Sequence, residues 1–538
     1  MLVLTLFLLL PSFSFSSPVL SSSIGKLVGT WQENGTVAAF LGVPFAQFDR
    51  RFRYALPPTN TSSSHIVTSY SPACPQKCSN VPKALCPVHT SETDCLTLNL
   101  FVPASAVHRT PSSAPSPLLD TMIFIAGGGY KFEASSSCLY SGAPLVLAEH
   151  RAVISFNYRT GVLGFAAGSA VDDNVGLDDQ RQAIAFIRQN AQAWSLNTSA
   201  FTLFGQSAGA ASLAASLAST DPMPAHAVIL ESVPWGLKFS TKEEATETTN
   251  RAMAAGNCSS IECLQALPVD VMVEVGASIK HVEPFPPWRL HSQNALAWQP
   301  FLTPSLPDQP VVALSRAMAR APGSPSQPLL VLGSNTDDGL WFVRDAVHRT
   351  LNTEEALAFL ALIFNTSVAT QLLDLYKPLI DEPVSASYDW RLSLERMVTH
   401  YIFACPARAV ARARGGFLYR FDQLDEAGAK AFFGSTKSYC YDAVCHGMEL
   451  PFVFGTQDVC NLPGSPSLDA LSRQMMHTWA STTASDTPVL NASLAWLPAS
   501  PATGSNLRFA DDSSGGIAME NAYASLCDYW DTIGYGVY

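Results

Sequence analysis

The chain has little charge. Of its 538 residues only 14% are Asp, Glu, Lys or Arg, against 47% hydrophobic. That balance excludes a disordered polyelectrolyte and leaves ample material for a large core. Positive charge is the scarcer kind: Lys and Arg number 32 against 44 Asp and Glu, a formal net charge of −12. No basic run is longer than Arg50-Arg51. Neither a nucleic acid nor an anionic membrane surface is expected as a partner. Long apolar runs are also missing. The run at Leu2–Leu10 is too short to span a bilayer, so no stable membrane anchor is expected. No His, Cys and Asp cluster shows metal-ligand spacing, so neither a metal nor an organic cofactor is expected. There is no internal repeat.

Pro11 and a Ser-rich stretch come directly after Leu10. This reads as a cleaved secretion signal over about residues 1–20, with cleavage around Ser14–Ser23, although no Lys or Arg precedes the apolar run. Twelve cysteines fit an oxidising compartment. Six Asn-x-Ser/Thr sequons, at Asn34, Asn60, Asn197, Asn257, Asn365 and Asn491, are candidate glycosylation sites. Together these features predict a secreted, extracellular glycoprotein.

Apolar runs bounded by turn residues predict strands over 36–46, 96–103, 122–130, 152–159, 201–204, 227–232, 328–339 and 415–423. Residues 174–194 carry a helical period, with Ile184, Ile187 and Ala191 on one face. Strands alternating with helices predict an α/β fold with a large, mostly parallel sheet covered on both faces. The Pro/Ser-rich stretches at 57–64, 108–118 and 315–327 read as surface loops, so residues 21–538 form one domain. Within it, 240–325 is expected to be a cap over the C-terminal edge of the sheet.

The densest chemical signal is FTLFGQSAGAASL at 201–213. Its centre, Gly205-Gln206-Ser207-Ala208-Gly209, follows an apolar run and precedes a small, Ala/Leu-rich stretch. Strand, sharp turn and helix are the context of a nucleophile elbow. Small flanking residues let strand and helix cross closely and leave the Ser207 hydroxyl exposed. The bland reading is a tight turn.

Seven segments together carry a resemblance: ETDCLTLNL (92–100), GGGY (127–130), FNYRTGVLGF (156–165), NVGLDDQRQAIAFI (174–187), FTLFGQSAGAAS (201–212), CHGMELPFVFG (445–455) and Cys527-Asp-Tyr-Trp530. In this order they resemble the type-B carboxylesterases, the α/β-hydrolase group of cholinesterases, fungal lipases and fungal carboxylesterases. The likeness runs from about Val37 to Trp530 and fits a fungal-type secreted carboxylesterase. It implies the α/β-hydrolase fold and a catalytic triad in the order Ser207, Asp338, His446. Asp338 is chosen because the family's acid, more often Glu, immediately precedes the Gly of TDDG; Asp337 is the alternative. His446 lies in the family's His-Gly context. The resemblance also implies an oxyanion hole of backbone N–H groups from Gly128, Gly129 and Ala208, and a hydrogen bond from Ser232 to the acid.

The chain departs from the pattern at several points. Gln206 stands where Glu is common, which removes a negative charge beside the nucleophile. Ala126 replaces a bulkier residue before the glycines. WSLNTSAF (194–201) lacks the usual Gly-Gly-Asp-Pro, so a rebuilt loop is expected there, and 47–58 shortens an early loop.

The resemblance implies disulfides Cys74–Cys95, enclosing Cys78–Cys86, and Cys258–Cys263. The other six cysteines, at 138, 405, 440, 445, 460 and 527, allow fifteen pairings. Cys445 is next to His446, so a disulfide there would stiffen the histidine loop; a reactive thiol is the rival reading. Residues 74–95 hold no aromatic residue, which argues against a cation–π site for choline esters. The leading expectation is therefore a secreted serine hydrolase cleaving small carboxylic esters through an acyl-enzyme. A lipase or sterol esterase is the alternative within enzymes. A cholinesterase-like adhesion protein without activity is the alternative outside them. The oligomeric state is not legible in the sequence.

Overall fold

Met122, Ile123, Phe124 and Ile125 are buried on both faces of one strand. A strand with no solvent face must lie inside a sheet covered on both sides. The computed structural model describes residues 16–535 apart from 59–63, 80, 108–116, 133, 280–295, 317–326, 378–387, 486, 491–493, 501–504 and 515. Among the described residues the central sheet has eleven strands. In chain order they are β1 (Thr30–Gln32), β2 (Val37–Pro44), β3 (Thr97–Pro103), β4 (Leu119–Ile125), β5 (Ala152–Phe156), β6 (Leu196–Gln206), β7 (Ala227–Glu231), β8 (Leu329–Asn335), β9 (Phe417–Phe421), β10 (Asn506–Phe509) and β11 (Ala518–Glu520).

The spatial order is β11-β10-β9-β8-β7-β6-β4-β5-β3-β2-β1. From β5 to β10 every neighbouring pair is parallel, and β1–β3 and β11 add antiparallel edges. Two large apolar clusters lie on the two faces of this sheet. One gathers Ile123, Ile154, Leu203 and Leu230 with the helix Val175–Asn190 and the elbow helix Ala208–Ala218. The other gathers Phe124, Phe204, Ile229 and Val331 with the helix Pro466–Ser481. Chain order reverses between β4 and β6 at the middle of the sheet, the place where open α/β sheets open a crevice beyond the strands' carboxyl ends.

The helix expected over 174–194 covers Val175–Asn190. The loop expected over 194–201 is largely strand instead. β6 begins at Leu196 and pairs with Leu119, with a register shift before Thr121. The missing glycines leave no break there, and Ala200 and Phe201 point into the core.

All twelve cysteines are paired. Cys74–Cys95, Cys78–Cys86 and Cys258–Cys263 are joined by Cys138–Cys460, Cys405–Cys527 and Cys440–Cys445. Within 240–325 the described helices are Lys242–Ala255, Ile261–Ala266, Val269–Ser278 and Pro310–Ser315; residues 280–295 and 317–326 lie outside the described part. Among the described residues no helix is long and apolar enough to cross a membrane.

Candidate active site

β6 ends at Gln206 and the next helix begins at Ala208. The residue between them, Ser207, has φ 55° and ψ −121°, a backbone sparsely populated outside glycine. The turn is held by neighbours. Ser207 N donates to Glu231 O of β7 at 2.9 Å, and Ala211 N donates to Ser207 O at 2.8 Å. Gly209 explains why the sequence must be small here: a Cβ would lie 1.9 Å from Ile125 O. Gly205 is similarly confined, with Gly209 C at 2.8 Å from its would-be Cβ.

Ser207 faces a cavity of about 480 Å³. Gly128, Gly129, Gln206, Ala208 and His446 line the same space. Gly128 and Gly129 follow β4 with φ 77° and 59°, a left-handed turn that brings backbone to the cavity wall. Ala208 is the first residue of its helix, where an N–H has no intrahelical acceptor. The rest of the lining is mainly apolar, from Leu85, Phe132, Leu237, Trp341, Phe342 and Phe403 among others. Trp341 and Phe342 come from the helix Asp338–Ala346, and Phe403 from a wide π-type turn over Thr399–Ala404. No sequence motif marked these aromatic lining residues.

His446 is buried between two of them, with ring centroids 5.1 Å from Phe342 and 5.2 Å from Phe403. Its Nδ1 lies 2.7 Å from Asp338 Oδ1. Asp338 has no solvent exposure, and its other oxygen accepts from Ser232 Oγ at 2.9 Å and from Asn335 N at 2.8 Å. Asp337 does different work. Its carboxylate accepts from Val444 N at 2.9 Å, and its own N donates to Val444 O at 3.1 Å. It clamps the backbone of the histidine loop, and burial pushes its carboxyl above the usual range. The Cys440–Cys445 disulfide closes the same loop next to His446.

With the ring proton on Nδ1, facing Asp338, Nε2 is an acceptor. The Gln206 amide nitrogen lies 3.2 Å from it and donates. Among the described residues no hydrogen bond joins Nε2 to the Ser207 hydroxyl, although both groups border the cavity. Gln206 therefore touches the imidazole directly; the sequence had marked only its missing charge. Two further carboxyl groups, Glu231 and Glu449, are fully buried.

The model of the Carboxylesterase family matches residues 16–530. The chain belongs to that family. It is a carboxylic-ester hydrolase with the α/β-hydrolase fold. It is 28% identical over 483 residues to the para-nitrobenzyl esterase of Bacillus subtilis (strain 168), covering 86% of this chain and 87% of that one. It is also 28% identical over 488 residues to the cholinesterase of Mus musculus, covering 83% and 75%. A solved thermophilic PNB esterase superposes with a TM-score of 0.77 at 26% identity, over 96% of this chain and 100% of that one. In this carboxylesterase Ser207, at the start of its helix, and His446 of the buried Asp338–His446 couple border one apolar cavity.

Among the sequons, Asn34, Asn257 and Asn365 are exposed and Asn197 is half-buried, bonded to Asp120 at 3.0 Å. Asn365 Oδ1 caps a helix by accepting from Val368 N. Asn60 and Asn491 lie outside the described residues.

Proposed function

We propose that the protein is a secreted serine esterase in which Ser207 is the nucleophile, His446 the base and Asp338 the acid. The observation that carries this reading is the 2.7 Å contact between His446 Nδ1 and Asp338 in a cavity shared with the strained Ser207 turn. Asp338 fixes the ring proton on Nδ1 and leaves Nε2 to accept. Ser207 attacks the ester carbonyl as its proton passes to Nε2, and the Gln206 amide yields its place there. The proton then goes to the leaving alkoxide. Water repeats the step in reverse and releases the acid. N–H groups of Gly128, Gly129 and Ala208 hold the oxyanion; one such donor contributes on the order of 3 kcal/mol to the barrier.

The substrates are small or medium carboxylic esters with an apolar acyl or alcohol part. The lining supports this, as does the loop 74–95, tied by two disulfides and contributing Val81 and Leu85 to the cavity wall. A loop so fastened suits a soluble ester better than the opening a lipase needs at a lipid surface. Secretion is supported by the leader-like N-terminus and six disulfides. The pairing of Val19–Ser22 with Gly25–Val28 and the burial of Leu20 support signal cleavage ahead of Pro18. Among the described residues, Asn34, Asn257 and Asn365 are exposed sequons open to glycosylation. The described helices between Lys242 and Ser315 serve as part of the cap.

The test is labelling with a fluorophosphonate and hydrolysis of nitrophenyl esters from acetate to palmitate. The wild type should be labelled on the GQSAG peptide. Ser207→Ala should lose labelling and at least about 10⁴-fold in kcat. Full activity in that variant would refute the assignment.

A further inference from the structure

Glu231 closes β7, and Glu449 begins the turn into the short helix Leu450–Phe454. Both side chains have no solvent exposure. Neither is hydrogen-bonded or ion-paired to a Lys, Arg or His side chain among the described residues. Glu231 Oε1 accepts from the Trp479 indole at 2.6 Å, and Glu449 Oε2 accepts from Asn335 Nδ2 at 2.5 Å. The remaining oxygen of each, Glu231 Oε2 and Glu449 Oε1, has no hydrogen-bond partner among the described residues. Two anions cannot be held this way in a dry interior, since each needs its lone pairs satisfied and its charge balanced. Glu231 stands opposite Gly333 of β8, and Asn335, two residues further along the same face of that strand, donates to Glu449, so both carboxyls lie over the same end of β8. The titratable groups facing them are Asp338, His446 and the buried Tyr419 phenol from β9.

We propose that Glu231 and Glu449 act as one acid pair holding a single proton, with the proton on Glu231 and the charge on Glu449, and that this charge steadies the His446 imidazolium during ester hydrolysis. The inference rests on the triad reading above. The shared proton satisfies both orphan oxygens at once: Glu231 Oε2 donates and Glu449 Oε1 accepts.

The asymmetry arises from the neighbours. Burial and the Asp338 carboxylate hold Glu449 up, but the positive form of nearby His446 and the Asn335 amide favour its ionised state. Glu231 has one indole donor and is repelled by Glu449. Burial raises both carboxyls, Glu449 to about 7 and Glu231 well above its ordinary range, so the pair holds its single proton above about pH 7 and takes up a second one below it. The same attraction that favours ionised Glu449 beside His446 favours the imidazolium beside Glu449. Neither glutamate touches substrate; both are positioning residues.

The test compares Glu231→Gln and Glu449→Gln in the full secreted chain with a nitrophenyl ester. Gln at 231 reproduces the proton-bearing partner, because its amide donates to Glu449 and its carbonyl accepts from Trp479. It should leave kcat within about twofold and the acid limb of kcat/KM in place. Gln at 449 removes the charge. It should lower kcat about tenfold and move the acid limb to lower pH by roughly half a unit or more. A merely structural role would move neither limb. Infrared spectra of the wild type should contain the carbonyl stretch of a buried protonated carboxyl, lost in Glu231→Gln and kept in Glu449→Gln. Equal losses of activity in the two variants, or loss of that band only in Glu449→Gln, would overturn the proposal. Fluorophosphonate labelling at Ser207 separates the two readings: it persists in both variants if the triad stands and only the pair is wrong.

Discussion

Gln206 Nε2 lies 3.2 Å from His446 Nε2, on the nitrogen that takes the nucleophile's proton in the proposed reaction. A neutral amide at that position favours the neutral ring, because it donates to the lone pair. Gln206→Glu would exchange a donor for an anion at the same reach. An opposite charge within about 4–6 Å favours the protonated ring. The acid limb of kcat/KM should therefore move to higher pH, by roughly one unit. A pH–rate profile checks it, and a limb that stayed or moved down would remove Gln206 from the account.

The elbow makes a steric prediction. Gly209→Ala places a Cβ 1.9 Å from Ile125 O, a backbone atom inside the sheet. Overpacking against backbone costs about 3 kcal/mol or more. Yield of folded protein and unfolding temperature should drop sharply. Gly464→Ala is the control, since its nearest neighbour would be Asp469 Oδ1 at 3.4 Å, and it should melt with the wild type. Equal melting of the two variants would mean that the β6–helix crossing is looser than described.

How far these features were legible from residues alone varies with their range. The strand–turn–helix at Ser207 was legible because its G-x-S-x-G lies between an apolar run and a small-residue stretch, whereas Asp338 and His446 were expected only from the family resemblance. The strands of the central sheet were legible because burial on both faces demands continuous apolar runs, as in Met122–Ile125. The start of β6 at Leu196 was not, since polar Asn197, Thr198 and Ser199 carry no strand period and the pairing with Leu119 is a long-range event. Asp337 and Asp338 are adjacent in sequence, and only the fold turns one to the Val444 backbone and the other to the imidazole. The contact of Gln206 with His446 spans 240 residues. The Glu231–Glu449 pair and the disulfides Cys138–Cys460, Cys405–Cys527 and Cys440–Cys445 likewise depend on packing that local patterns do not encode.

The disulfide Cys440–Cys445 separates loop order from global stability. It spans five residues and ends beside His446. Replacing both cysteines by Ser should lower kcat about tenfold, because imidazole geometry loosens next to a fixed Asp338. KM should change little. Replacing Cys258 and Cys263, a loop of the same span in another region, should leave kcat unchanged. A short-loop disulfide contributes about 2 kcal/mol on a chain-entropy account, so both variants should melt somewhat earlier. If both lost kcat equally, stiffness of the histidine loop would not be the reason for the first loss.

The raised carboxyls also set the direction of stability with pH. Glu449 in the unfolded chain gives up its proton near 4.5, whereas the folded protein holds it to about 7 because of burial and the nearby Asp338. Between those values the folded state binds more protons than the unfolded one. Stability from this group is therefore complete below pH 4.5 and is lost as pH rises through about 7. Glu231, raised further, extends the loss to higher pH. Gln at 449 has no proton to lose. Relative to Glu449→Gln, the wild type should lose unfolding free energy between those limits, at a slope of up to about 1.4 kcal/mol per pH unit. Chemical denaturation of both proteins across that range gives the difference directly. A difference that stayed constant with pH, or grew in favour of the wild type as pH rose, would show that Glu449 is already ionised throughout the range and that burial does not control its charge.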